Sequence, residues 1–305
     1  MRIVEVQAGV SRDHLVTVGC APAYDQAGGP GLYGALGAAR ASEVVDGRLG
    51  TRTRVRLRAD LPSAEADIRQ ILTDAGIDLS ACTNGAISRV WILNAPEGRR
   101  VLSTTPPTHE LDEREHSPVE TRSAGTRRDT AALLRSSPGG GLDDAARPAV
   151  VVVDPDQRVV ATRGWEYFAE LTSTTDVFMP SRVQLSQLLP DPVAGAHELR
   201  RRTGRTVVAR LDAEGSLVLP AQGGSWRVVP APVEVVDTTG AGDSHAGAFT
   251  AALSDLRDAQ AMIDAVVVAT AVVSRTLAAP GATALAAGPA VSDADLHAVH
   301  VHKED

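Results

Sequence analysis

The sequence predicts an α/β fold: a mostly parallel sheet covered by helices on both sides. Two observations carry this. Apolar segments of strand length alternate with segments of helical period along the chain. One of them, 149–153, is an unbroken apolar run, valine after Ala149, ending in Asp154-Pro155, the pattern of a strand buried on both faces. The chain has 305 residues and is 43% apolar, enough for one large domain with a sizeable core. Aromatic residues make up only 3%, so Ala, Val and Leu must fill that core.

The elements follow in order. Residues 2–6 read as the opening strand and 14–18 as a short alternating strand. Residues 28–40, rich in Gly and Ala, read as a turn entering a closely packed helix, with 21–26 before it as a loop. At 52–57, Arg alternates with Thr, Val and Leu, so a strand with one solvated face is expected. Residues 63–75 have helical period, with Ser63 as N-cap, Glu65 and Asp67 in the first turn and Gly76 as the stop. Strands at 87–93 and 99–103 flank Asn94-Ala95-Pro96-Glu97-Gly98, a hairpin with a five-residue loop. Residues 104–147 are polar and rich in Pro and Gly, which predicts a mobile surface segment with one helix at 128–135. Order returns at 149–153, followed by strands at 177–179, 206–209 and 216–219 and helices at 244–253 and 259–277.

Charge and composition exclude several functions. The net charge of −8 argues against nucleic acid as the main partner. Lys303 is the only lysine, and no Gly-Lys-Ser/Thr occurs, so phosphate must be held by backbone N–H groups and arginines rather than by a Walker loop. Cys20 and Cys82 make neither a metal spacing nor a disulfide framework, which suits a reduced, cytoplasmic setting. Residues 1–10 lack a leader pattern, and the apolar run 265–273 is too short to span a bilayer, so no membrane partner is expected.

The most informative stretch is Val235-Val236-Asp237-Thr238-Thr239-Gly240-Ala241-Gly242-Asp243. It reads as a strand that stops at a small-residue turn and becomes a helix. A helix start presents unpaired N–H groups and a partial positive charge, a ready anion site. Gly240 and Gly242 admit close approach, and Ala241 between them adds little bulk. Asp243 would repel a phosphate held there. Its carboxylate makes sense if it takes a proton from a hydroxyl that attacks a phosphoryl group. The plainer alternative is a helix N-terminus whose dipole favours acidic residues.

Residues 237–243 resemble the second signature of the ribokinase-like (PfkB) carbohydrate kinases, D-T-x-G-A-G-D, at every fixed position. The resemblance implies a three-layer αβα sandwich with a small β lid, its elements near 14–19 and 87–103, in a single kinase domain over 1–305. It implies transfer of the γ-phosphoryl of ATP, with Mg²⁺, to a hydroxyl of a sugar, polyol or nucleoside. Asp243 would be the general base and the amides of Gly240, Ala241 and Gly242 the anion hole. Asp13 would grip acceptor hydroxyls, with Gly28 and Gly29 bringing backbone against the substrate. Thr238, Gly215, Gly281 and Ala282 would line the nucleotide. A homodimer through the lid is compatible with the family's habits.

The chain also departs from the family pattern. No Asn follows the Gly28-Gly29 pair, and Asp212 stands where a glycine is usual before Gly215. Ser181 and Gln184 replace N-x-x-E, whose Glu acts through water on the metal–phosphate cluster. Gln184 can hydrogen-bond a metal-bound water but brings no charge. These departures motivate an alternative: a catalytically weak or inactive sugar- or nucleoside-binding protein. Gly29, Gly31 and Gly34 also fit G-x-G-x-x-G, but a loop before them is the wrong context for a dinucleotide site. His245 lies about 200° around the helix from Asp243 and suits packing or substrate contact. His297, His300 and His302 fall in what reads as a frayed acidic tail.

Overall fold

The computed structural model describes the chain apart from residues 20, 96–97, 105–128, 137–146, 279–280 and 305. Strand β1 (Arg2–Gln7) is followed by β2 (Ser11–Thr17), β3 (Ala23–Gly28), α1 (Pro30–Leu49), β4 (Thr53–Arg58) and α2 (Ala66–Asp74). The hairpin β5 (Ser88–Ala95) and β6 (Gly98–Thr104) comes next, then β7 (Ala132–Ser136), β8 (Val150–Asp154), α3 (Gln157–Arg163) and α4 (Trp165–Leu171). After them run β9 (Val177–Phe178), α5 (Arg182–Leu188), α6 (Pro192–Thr203), β10 (Thr206–Arg210), β11 (Ser216–Leu219) and β12 (Ser225–Val229). The last elements are α7 (Ala241–Ala252), α8 (Ala259–Leu277), α9 (Thr283–Ala287), α10 (Asp293–His297) and β13 (His300–Glu304).

The fold is the expected α/β class. A 9-stranded sheet runs in the order β13-β12-β11-β10-β9-β8-β7-β1-β4. Neighbours are parallel from β4 to β10 and antiparallel from β10 to β13. Alternation along the strands feeds two cores. Val4, Val6, Val152, Val208 and Val218 face the layer of α1, α7 and α8. Val151, Val153, Phe178, Val207 and Leu217 face the layer of α3 to α6. Each such side chain contributes about 1.5–3 kcal/mol by leaving water. A second, 4-stranded sheet has the order β3-β2-β5-β6.

Several expectations are corrected. The helix expected at 128–135 is strand β7 in its second half, seated between β1 and β8. A run as short as Ala132-Leu133-Leu134 does not reveal its period, and burial on both faces of a parallel sheet decides it. Residues 235–237 are not a strand: Val235 and Val236 are exposed, and Val236 N–H donates to Leu277 O at 2.8 Å. Ser63 is not the N-cap of α2. Its amide is taken by Asn84 Oδ1 at 2.8 Å, and the helix begins after Glu65. The hairpin strands reach Ala95 and Gly98, which pair, so the connection is tighter than five residues.

The loop expected at 21–26 is largely β3, an exposed strand antiparallel to β2. A strand does therefore run into Gly28, but it belongs to the small sheet and is not the buried parallel strand a dinucleotide fold requires. The tail is not frayed, since β13 pairs with β12 and presents His300 and His302 to solvent. Helix α8 continues well past the 265–273 run and is, by length and composition alone, apolar enough to cross a membrane. Here Met262, Ile263, Val266, Ala269 and Val272 lie in the core. Cys82 is a free thiol, and Cys20 lies outside the described residues, as does most of 104–147.

Helices α1 and α7 meet backbone to backbone. A Cβ on Gly247 would lie 1.9 Å from Gly34 O, and one on Gly37 would lie 2.3 Å from Ser244 O. Gly47, also in α1, has nothing within 4 Å. Gly247→Ala is therefore expected to cost about 3 kcal/mol or more by forcing the helices apart. Gly47→Ala should stabilise by up to ~1 kcal/mol. Urea denaturation of the two variants checks this, and equal effects would refute the close approach.

Candidate active site

The site is assembled at the carboxyl ends of the parallel strands, around the start of α7. Gly240 is the N-cap with φ 73°. A Cβ there would fall 2.1 Å from the Tyr33 ring, so only glycine fits. Asp237 ties the approach together: its Oδ1 accepts from Thr239 N–H and its Oδ2 from Gly281 N–H, both at 2.9 Å. The loop before α7 is thus fastened to the loop after α8. This brings Thr238, exposed at the surface, into one neighbourhood with Gly281 and the buried Ala282. Ala241 N–H, one of the three expected anion-hole amides, donates to Thr238 O at 3.2 Å.

Gly215 lies in the β10–β11 turn with φ 79°, and a Cβ there would meet Val228 O at 2.0 Å. Asp212, in the position expected to be glycine, adopts φ 55° and so keeps the left-handed conformation without the glycine. Next to this turn, Ser216 Oγ lies 3.3 Å from His245 Nε2 on α7. His245 is buried, and its Nδ1 has no partner among the described residues. Burial, reinforced by the Arg210 charge, pushes its imidazole down to about 3. The ring is therefore neutral at ordinary pH and pairs with Ser216.

At the small sheet, Asp13 lies buried on β2, and its Oδ1 accepts from Ser11 Oγ at 2.6 Å. Gly28 on the paired strand is small for a local reason, because a Cβ there would sit 2.0 Å from Asp13 Oδ2. Gly29, at φ 91°, opens α1 against Ser11 N and Gly9 O. Gly31 N–H then donates to Gly9 O at 2.7 Å. The glycine pair thus packs Asp13 and the β1–β2 loop against the head of α1. The same helix carries Tyr33, whose ring lies on Gly240, and Gly34, where a Cβ would come 3.6 Å from Asp243 O. Asp13, Gly28 and Gly29 are thereby held in register with the turn that bears Asp243.

Two features escape sequence reasoning. Arg210, at the end of β10, donates to both oxygens of Asp154 at 2.5 and 3.1 Å and to Gly242 O at 2.6 Å. Burial pushes the Asp154 carboxyl up, Arg210 opposes that shift, and the Asp243 charge adds to it. Gln184, expected near metal-bound water, has both ends of its amide engaged. Its Oε1 accepts from Ser181 N–H and its Nε2 donates to Pro155 O, each at 2.6 Å. It completes a capping box at the start of α5. Among the described residues no group of three or more His, Cys, Asp or Glu side chains converges on a metal position. Asp154 is held by Arg210, and the Gln184 amide is engaged at both ends.

Comparison with known proteins locates this geometry. The family described as pfkB family carbohydrate kinase matches residues 32–285. A 1-phosphofructokinase of Haloferax volcanii is 36% identical over 147 residues, 45% of this chain and 46% of that protein, so the match spans about half of each. Fructokinase of Vibrio cholerae, solved with fructose, ADP and calcium, aligns over 98% of both chains at 18% identity with a TM-score of 0.67. Ribokinase of Giardia lamblia aligns over 97% of this chain and 98% of its own at 14% identity, TM-score 0.68. Aminoimidazole riboside kinase of Salmonella enterica, complexed with its riboside and an ATP analogue, aligns over 93% and 96% at 20% identity, TM-score 0.63.

The depressed His245 imidazole has a consequence for stability. The unfolded chain takes up a proton near pH 6.5 that the folded chain refuses down to about 3. Stability is therefore complete above the unfolded value and is lost as pH falls through that window, by up to ~1.4 kcal/mol per pH unit from this one group. His245→Gln is expected to remove that part of the slope in urea denaturation series between about pH 5 and 7. An unchanged slope would show that the ring titrates normally.

Proposed function

The chain belongs to the pfkB family of carbohydrate kinases, and on that premise we propose that it transfers the γ-phosphoryl of ATP to a hydroxyl of a sugar, polyol or nucleoside. The observation that carries the reading is the placement of Asp243 in the first turn of α7, directly behind the left-handed Gly240. With the Ala241 amide turned to Thr238 O, the amides of Gly240 and Gly242 face the transferring phosphoryl, where the helix start favours negative charge. The Asp243 carboxylate takes the proton of the acceptor hydroxyl as its oxygen bonds to the γ-phosphorus. The bond to the β–γ bridging oxygen breaks, and ADP leaves.

Asp13, steadied by Ser11, orients acceptor hydroxyls, since a carboxylate accepts from two neighbouring hydroxyls at once. The loops joined at Asp237 form the nucleotide side. The small β3-β2-β5-β6 sheet is the lid, whose closure keeps water from competing as acceptor. Mg²⁺ arrives with the nucleotide as the MgATP substrate. This agrees with Gln184 being spent on the α5 cap.

A second reading, a binding protein with little or no turnover, is favoured by that same engagement of Gln184. One assay separates the two: ADP release with MgATP across fructose, a phosphofructose, polyols and ribosides. Turnover with one acceptor is expected, and Asp243→Asn should lower kcat by about 10²–10⁴ with little change in nucleotide affinity. Full turnover in that variant would overturn the mechanism. Tight acceptor binding without any ADP release would establish the second reading instead.

A further inference from the structure

The mechanism above leaves one buried ion pair at the strand ends without a task. Arg210 closes β10 and Asp154 closes β8, with β9 between them in the sheet. The guanidinium reaches past β9 to hold Asp154 by both oxygens, at 2.5 and 3.1 Å, and Arg210 N–H donates to Pro180 O at 2.9 Å. Its Nη1 also donates to Gly242 O at 2.6 Å, and a Cβ on Gly242 would come within 2.8 Å of that nitrogen. The gripped carbonyl belongs to the peptide that joins Gly242 to Asp243. Arg210 therefore fixes the plane from which the Asp243 side chain springs.

The charges converge on the same point. Asp154 is repelled by Asp243 and by Asp156, and Arg210 is the cation that offsets them. The other titratable neighbours are the Tyr167 phenol, which feels Asp154 and Asp156, and the neutral His245 imidazole, which feels Arg210. Two carboxylates at one corner without a cation would not both stay ionised.

Resting on the reading of Asp243 as base, we propose that Arg210 is a positioning residue for it: Arg210 holds the 242–243 peptide and supplies the cation that lets Asp154 and Asp243 share one corner of the sheet. The test is a set of kcat–pH profiles. Arg210→Gln should lower kcat about 10–100-fold, leave the nucleotide KM within about threefold, and move the acid limb up by about one pH unit. Adding Asp154→Asn removes the repelling carboxylate and should return the limb to its wild-type position, with kcat still reduced at least about tenfold. Arg210→Lys keeps the charge without the fork, so kcat should fall with the limb unmoved.

An acid limb that does not move in Arg210→Gln, or stays raised after Asp154→Asn is added, overturns the proposal. If Arg210→Gln does not fold, the double variant, which leaves no buried carboxylate unpaired, decides alone, and full recovery of kcat in it overturns the proposal. Asp243→Asn is assayed alongside. Loss of turnover there, together with wild-type profiles in the Arg210 variants, sinks the Arg210 role alone, whereas an active Asp243→Asn sinks the base itself.

Discussion

The near-contact of α1 and α7 is the constraint on which the rest of the site depends. The proposed acceptor groups and the proposed base come from opposite ends of the chain, Asp13 and Gly29 before α1, Asp243 at the start of α7. They share a frame only because Gly34, Gly37 and Gly247 let the two backbones touch. Interior packing is as dense as an organic crystal, so a single methyl inserted there has no free volume to enter and moves the helices instead. Tyr33 locks the same junction from the side, with its ring filling the space over Gly240.

On the opposite face of β1 and β4 charge is buried, and hydrogen bonds keep it there. Glu5, fully buried on β1, accepts from Arg58 Nε at 2.7 Å, and Arg56 beside it grips Asp129 with both Nη atoms at 2.9 and 3.0 Å. Such pairs cost desolvation and add little net stability, but losing one partner leaves an uncompensated charge indoors. At Asp237 the same currency does a different job. One oxygen shapes its own loop at Thr239, and the other ties that loop to Gly281 after α8.

The sequence was most legible where local chemistry decides structure. The 237–243 run showed a glycine turn entering a helix with Asp243 in its first turn, and 259–277 showed its helical period to both ends. It was least legible where distant partners decide. Nothing near Ala132-Leu133-Leu134 says strand rather than helix; only β1 and β8 on either side do. The β3 and β13 strands carry little apolar content and exist through pairing with β2 and β12. Arg210 and Asp154 lie far apart in the chain, and each alone is an ordinary strand-end residue. Gln184 shows the converse: the departure at 181–184 was visible, but its use as a capping box needed coordinates.

The solitary lysine gains a meaning from where β13 places it. Lys303 is exposed on the edge strand, opposite Trp226 of β12 and three strand spacings from β10. That is roughly 14 Å across the sheet from the strand that ends in Arg210. With every other basic side chain an arginine or histidine, amine-directed reagents meet a single ε-amino group, besides the exposed α-amine of Met1. A dye, a crosslinker or a solid support coupled through it would attach every molecule at one spot on the sheet's antiparallel flank. Immobilised in this way, the protein would present a uniform orientation.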